Sequence, residues 1–408
     1  MSRNRIVWFV TEAYYPDEVG TAYYMTELAE RLAATSDVKT LCGFPIYDAR
    51  KTDVPSVSVR NRVLIKRYRG TRFNKDRFVF RIVNLAAISL ALFFGAVRSF
   101  KKNDVIIVVT SPPLLPFTIK AACTLKGSIC VLRIDDVYPE TLIATGMLKP
   151  RTLIGSVMTS LNRWLYDKAD AIVVMGRDMD LLARRKLRRS FQKITIIPNW
   201  ADIDGIRPRP KSETSLGKDL DLAAKFVVLC AGNMGRAQAI ETMFAAAKLL
   251  KDAPDIRFLF IGSGAKRPWM NRQIGARSLA NITILDQRPR ADQNDFLNAC
   301  DVCLISLVPG MTGAGVPSRM YNVMAAGKPI VALAPEESEL CRVVLEEAIG
   351  WVVPPDDPRR LANVLRAAKA TPERLAEMGI RARSAAEGKY SPARIIRKYQ
   401  ELIRSFDV

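Results

Sequence analysis

Short apolar runs rich in Val, Ile and Leu recur from one end of the chain to the other, separated by stretches with helical periodicity, and a polar segment interrupts the series once. Runs without polar alternation suit strands buried on both faces, which is the situation of parallel sheet covered by helices. The pattern therefore predicts an α/β chain. Its first series places strands at 5–11, 38–42, 62–68, 104–110, 128–134, 170–175 and 193–197, with helices over 21–34, 75–100, 114–125, 151–168 and 177–189. Pro198, Asn199 and Trp200 then lead into ADIDGIRPRPKSETSLGKDLD, whose prolines and glycines read as a linker. Beyond it strands are expected at 225–231, 256–261, 281–285, 301–306, 329–333 and 350–353, and a capped amphipathic helix over 391–406. Two Rossmann-like, doubly wound domains follow, 1–203 and 204–390, facing across a cleft, with ligands expected on the loops after strands.

The 408 residues are 49% apolar and 25% charged, the make-up of a globular chain. Histidine is absent, which removes Ser-His, Cys-His and His-ligated metal chemistry, so any base must be a carboxylate, Tyr, Lys or Cys. Seven cysteines scattered singly through apolar runs fit buried thiols; Cys300 and Cys303 have CxxC spacing but no second pair. The first residues turn acidic after a short apolar run and lack a signal-peptide core, so a cytoplasmic chain is expected.

Glycines gather where strands hand over to helices. Gly20 opens the first helix; Gly232, Asn233, Arg236 and Gln238 follow the first strand of the second series; Gly262 and Gly264 follow its second strand. Such loops let backbone amides approach a phosphate or a sugar. Farther on, Gly315, Pro317 and Ser318 precede Arg319 at a helix start, a combination suited to holding a diphosphate without metal. Each loop also has a plain reading, as an ordinary turn or a tightly packed small-residue helix.

Nine segments in order, among them YYPDEVGTAYYMTELAERLA, IDDVYPETLIATGMLK, AGNMGRAQAIETMFAAA, FLFIGSGAKR and GVPSRMYNVMAAGKPIVAL, resemble the GT-B nucleotide-sugar glycosyltransferases of family 4, in the branch that makes O-antigen, capsule and exopolysaccharide units. The resemblance implies a retaining transfer from a nucleotide diphosphate-sugar, with UDP-sugar the first expectation. It implies a donor held mainly by the second domain, an acceptor held mainly by the first, and a last helix, 391–408, that crosses back to the first domain. No cofactor or metal is implied.

The departures are specific. Where many members carry a His before Asp, this chain has Asp135 followed by Asp136, expected as catalytic or acceptor-binding groups. The usual Arg and Lys of the first donor loop match Asn233 and Gln238, and two usual glutamates match Ala314 and Asn322. Arg319 and Arg236, with the helix start at Pro317, are then the expected diphosphate neutralisers, and Glu337 or Glu339 the ribose partner.

The net charge is +21. Residues 60–102 hold twelve Lys and Arg against Asp76 alone, around an uncharged stretch from Ile82 to Val97 that is short for a membrane span. A buried domain helix with solvated basic flanks competes with a basic amphipathic surface lying on anionic lipid. A second cluster, Arg184, Arg185, Lys186, Arg188, Arg189 and Lys193, could extend that face. Lipid-linked acceptors at the inner face of the cytoplasmic membrane would suit it. Two other functions share these features: a nucleotide-sugar epimerase on the same fold, which leans on histidines this chain lacks, and a basic nucleic-acid-binding scaffold, for which no motif is present.

Overall fold

The computed structural model describes residues 5–46, 54–73, 78–187, 193–277 and 279–407. The chain forms two compact units, one made of Met1–Pro139, Arg151–Pro198 and Ile396–Val408, the other of Glu140–Pro150 and Asn199–Ile395. The division falls at 198/199 rather than 203/204. The crossing-back segment starts at Ile396 rather than 391, and residues 140–150 go with the second unit.

In the first unit the elements run β1 (Ile6–Thr11), α1 (Gly20–Leu32), β2 (Asp37–Gly43), β3 (Val57–Arg60), β4 (Val63–Tyr68), α2 (Phe78–Ser99), β5 (Val105–Val109), α3 (Leu115–Lys126) and β6 (Ile129–Ile134). The short α4 (Glu140–Ala144) is given to the second unit, and the first resumes with α5 (Leu153–Lys168), β7 (Ala171–Val174), α6 (Arg177–Lys186) and β8 (Ile194–Ile196). The strand order is β3-β4-β2-β1-β5-β6-β7-β8, parallel except for β3. Every residue of β5, VIIVV, is buried, and each such side chain contributes about 1.5–3 kcal/mol relative to exposure. The strand expected at 62–68 is β4, but β3, which pairs with it as an antiparallel hairpin, was not among the expected strands. The hairpin turns on Asn61 and Arg62, both at positive φ, a two-residue geometry that Asn-Gly announces far more clearly than Asn-Arg.

The second unit holds α7 (Ser215–Asp219), β9 (Phe226–Ala231), α8 (Ile240–Leu249), β10 (Ile256–Ile261), α9 (Arg267–Arg277), β11 (Ile282–Leu285), α10 (Gln293–Asn298) and β12 (Val302–Ser306). It continues through α11 (Arg319–Ala325), β13 (Ile330–Leu333), α12 (Glu339–Glu346), β14 (Gly350–Val353), α13 (Pro358–Lys369), α14 (Pro372–Gly388) and α15 (Pro392–Arg404). Its all-parallel sheet has the order β11-β10-β9-β12-β13-β14. That is the doubly wound order, in which the chain reverses direction across the sheet between β9 and β12.

From Ile396 onward α15 packs on the first unit. Ile396, Tyr399 and Ile403 are buried at helical spacing. Gln400 donates to Thr35 Oγ1 at 3.1 Å, and Arg5 pairs with Asp407 at 2.7 Å.

The long apolar helix α2 has two unlike faces. Ile88, Leu92 and Ala96 are buried, and Gly95 lies so close to Tyr68 that a Cβ there would sit 2.4 Å from its ring. One face is therefore core, which settles the inner half of the 82–97 stretch.

Candidate active site

Doubly wound sheets bind ligands beyond the strand ends where the winding reverses. In the second unit that place is the end of β9 beside the end of β12. The loops after β9 and β10 are knit together there by Gly232 N–H to Ile261 O (2.8 Å) and Met234 N–H to Ser263 O (2.7 Å). Gly232 and Gly262 have φ of 123° and 147°. A Cβ on Gly262 would lie 2.0 Å from the carbonyl oxygen of Gly232, so only glycine permits this approach.

Arg319, the first residue of α11, reaches back over that junction and donates from Nη1 to Ala231 O at 3.0 Å. A Cβ at Gly232 would crowd it, meeting Nη1 at 3.3 Å. No carboxylate pairs with Arg319 among the described residues. Burial lowers its pKa, but a guanidinium remains charged in proteins. Gly232, Asn233 and Arg236 are exposed nearby in sequence, and Gly264 closes the β10 loop against Asn233 and Met234. The arrangement is a fixed cation over glycine-lined backbone, the chemistry of an anion site.

Other expected donor residues sit elsewhere. Gln238 is buried and accepts from Ser306 Oγ at 3.1 Å while its carbonyl takes Lys266 Nζ at 2.7 Å, so it ties the loop to β12. Asn322 is buried with both polar ends engaged, accepting from Asp202 N–H (3.0 Å) and donating to Gln293 Oε1 (2.9 Å). Both residues thus anchor neighbouring elements through these groups. Pro317 has no N–H to offer, and the N–H groups of Met320 and Tyr321 close turns onto Pro317 and Ser318. Gly315 is buried beneath α11's start, Glu339 is buried in the first turn of α12, and Glu337 is exposed on the loop before it. Gly20 is exposed as the first residue of α1 in the other unit.

In the first unit the winding reverses between β1 and β5. Thr110, just past β5, holds the loop that follows β6. Its Oγ1 accepts from the N–H groups of Asp135 and Asp136, both at 3.2 Å, and donates to Asp136 O at 3.1 Å. Arg133, buried at the end of β6, donates from Nε to Asp135 Oδ1 at 3.0 Å and from Nη1 to the Tyr399 hydroxyl at 3.4 Å. Burial opposes the charge of Arg133, but Tyr399 and Asp135 together outweigh it and raise its pKa. Asp135 Oδ2 is enclosed without a hydrogen-bond partner. Burial, reinforced by Asp135, pushes the Asp136 carboxyl up to about 6. Burial, with Asp136 second, likewise raises the Tyr138 phenol. The pair thus holds one oriented carboxylate and one carboxyl whose pKa is raised to about 6, the range where a histidine would otherwise serve.

Thr110, Arg133 and Tyr399 were not legible as site residues. An arginine inside a strand otherwise made of apolar residues, ICVLRI, was the available signal. Of the basic clusters, Arg67 is buried and donates to Tyr15 O and Pro55 O. Lys186 is buried against Tyr138 O, and Lys193 serves Asp167 O and Ala169 O. Those three belong to the fold and not to a solvated basic face. Lys75, Arg77, Arg188 and Arg189 lie outside the described residues. All seven cysteines are buried and none is in a disulfide, with Cys300 and Cys303 sulfurs 3.4 Å apart.

Residues 225–369 match the family described as "Glycosyl transferases group 1". The chain is 32% identical to the probable glycosyltransferase WbjE of Pseudomonas aeruginosa, over 88% of each chain. It is 24% identical to the putative colanic acid biosynthesis glycosyl transferase WcaI of Escherichia coli, over 80% of this chain and 83% of the relative. The structure of HepE from Anabaena, in complex with UDP and glucose, superimposes with a TM-score of 0.75 over 98% of this chain and all of that one, at 15% identity. On the strength of the WbjE match across both units and the family domain on the second, this chain belongs to the group 1 glycosyl transferases and has the GT-B fold.

Proposed function

We propose that this protein is a retaining, family 4 glycosyltransferase that moves a hexosyl or N-acetylhexosaminyl group from a UDP-sugar to a lipid-linked saccharide in surface polysaccharide synthesis, at the cytoplasmic face of a membrane and without a metal ion. The observation that carries the donor half is Arg319, a cation with no carboxylate partner among the described residues, held over the Gly232–Gly262 junction. As the bond from the anomeric carbon to the diphosphate breaks, the electron pair goes to the phosphate oxygen, and a preorganised cation stabilises that charge. Arg236 is the second cation and Glu337 or Glu339 the ribose partner. Retention has the acceptor oxygen bond to the anomeric carbon on the face the diphosphate leaves, its proton passing to the departing phosphate oxygen, while Asp135 and ionised Asp136 of the first unit accept hydrogen bonds from acceptor hydroxyls. Support for UDP comes from the HepE complex, and for polysaccharide synthesis from the names of the relatives.

A thermal-shift screen tests the donor, because a ligand that binds only the folded state raises the melting temperature. UDP and UDP-sugars are expected to stabilise the protein, in EDTA as well as in magnesium. Stabilisation by GDP alone would replace the nucleotide. Turnover lost in EDTA and restored by manganese or magnesium would overturn the metal-free reading. The anomeric configuration of the product, read by NMR, decides retention.

A further inference from the structure

The helices α2, α3 and α5 lie side by side on one face of the first unit's sheet, α3 packed against both of the others. Their outer surfaces should be polar in a soluble domain. They are not. On α5, Leu153 and Ile154 are 81% and 65% exposed, and Val157, Leu161 and Trp164 about half exposed. At 100° per residue these five fall in one stripe roughly 100° wide, opposite the buried Gly155, Asn162 and Tyr166. On α2, Val79, Ile82, Leu90 and Phe94 form a second exposed stripe, opposite the buried Ile88, Leu92 and Ala96. Leu114 and Leu125 add the two ends of α3. Twelve of the 21 exposed large hydrophobic residues described for the whole chain lie on or at the start of these three helices, a concentration that single scattered residues do not produce.

Charge says what covers this face. The three helices carry Arg81, Arg98, Lys120, Lys126, Arg163 and Lys168 against one carboxylate, Asp167. Arg81, Arg98, Arg163 and Lys168 are exposed. An apolar surface with a cationic and nearly carboxylate-free rim complements acyl chains beneath anionic headgroups. Trp164 stacks on Phe117 with centroids 6.5 Å apart and planes 11° apart, the kind of ring that settles at the headgroup level. Because the inner face of α2 is core, the helix cannot leave the sheet to span a bilayer; it can only lie in the plane.

We propose that the joined outer faces of α2, α3 and α5 form a monotopic docking face that seats the first unit in an anionic bilayer, with the α5 stripe inserted among the acyl chains. The inference rests on the membrane location given above but differs from it in kind: the basic stretch alone would give attachment that salt dissolves, whereas insertion survives salt.

The test is flotation of the full chain with vesicles of phosphatidylethanolamine and phosphatidylglycerol, at low salt and at about 1 M, where the screening length falls to about 3 Å. Wild type should remain bound in both. The triple variant Leu153→Ser, Ile154→Ser, Val157→Ser should lose at least about tenfold in salt-resistant partitioning while keeping its unfolding temperature and its stabilisation by UDP. Acyl-chain-brominated lipid should quench wild-type tryptophan fluorescence, and the quenching should drop in Trp164→Phe. Complete release of wild type at high salt would overturn insertion and leave electrostatic attachment standing. Failure to bind vesicles at any salt would overturn insertion and the membrane location together, leaving the donor reading to the UDP screen. Dimerisation in light scattering, abolished by the triple variant and without vesicle binding, would assign the face to a second copy and overturn the proposal.

Discussion

Arg133 donates to one oxygen of Asp135 at 3.0 Å and leaves the other enclosed and unpartnered. The ion pair is almost wholly buried on the arginine side, at 1% exposure against 14% for the carboxylate. Such a geometry fixes the orientation of the carboxylate. Removing one partner of a buried pair strands the other's charge, at about 3–5 kcal/mol. Asp135→Ala should therefore lower stability by about 3 kcal/mol, read by denaturant unfolding. Asp135→Asn, whose amide oxygen can still accept from Arg133, should lose much less stability but most of the turnover. A stable and active alanine variant would show that the pair neither supports the fold nor serves the site.

Asp136 ties stability to pH. Its folded-state pKa of about 6 lies above the ordinary 3.8, so between those values the unfolded chain ionises first and the native state loses stability as pH rises. The loss is complete above about 6 and amounts to about 3 kcal/mol. Asp136→Asn escapes it, so the variant's stability advantage should grow from pH 4 to pH 6 and then stay level. In kinetics, wild-type kcat/KM should rise through about pH 6, and the slow Asn variant should lack that limb. A pH-independent stability difference would place the Asp136 titration outside this range.

Arg319→Ala should cost about 10² to 10³ in kcat with a smaller change in donor KM, as expected when a preorganised donor acts chiefly on charge that develops in the transition state. Arg319→Lys should recover only part, because an ammonium lacks the planar fork. Near wild-type kcat in the alanine variant would make the residue a loop clamp for Ala231 and nothing more.

Gly262→Ala should fold poorly. The added Cβ meets the Gly232 carbonyl at 2.0 Å on a backbone with φ of 147°, and neither neighbour is the movable end of a side chain. A loss of at least about 2 kcal/mol is expected. Gly275→Ala, in α9 with nothing within 4 Å of its Cβ, is the control and should stabilise slightly. Equal effects at both positions would count against a clash between the loops.

Much of this protein was legible in the linear chain. Strands such as Val105–Val109 declare themselves because a segment buried on both faces must be apolar throughout. Gly232 and Gly262 declare themselves because only glycine accepts their backbone geometry. The opening of a helix by Arg319 was visible too, since local propensity and loop chemistry act over a few residues. What folding alone decided lies in pairs far apart in sequence. Tyr399 meets Arg133 across 266 positions, and no local rule links them. Asn322 and Gln238 look like polar ligand contacts in the chain, and only packing shows that they also bind backbone and side-chain groups of neighbouring elements. The α2 stretch Ile82–Val97 carries no charge in sequence, so charge could not divide it. The sheet did, by burying one side and leaving the other exposed, because a helix presents only one face to the layer it covers.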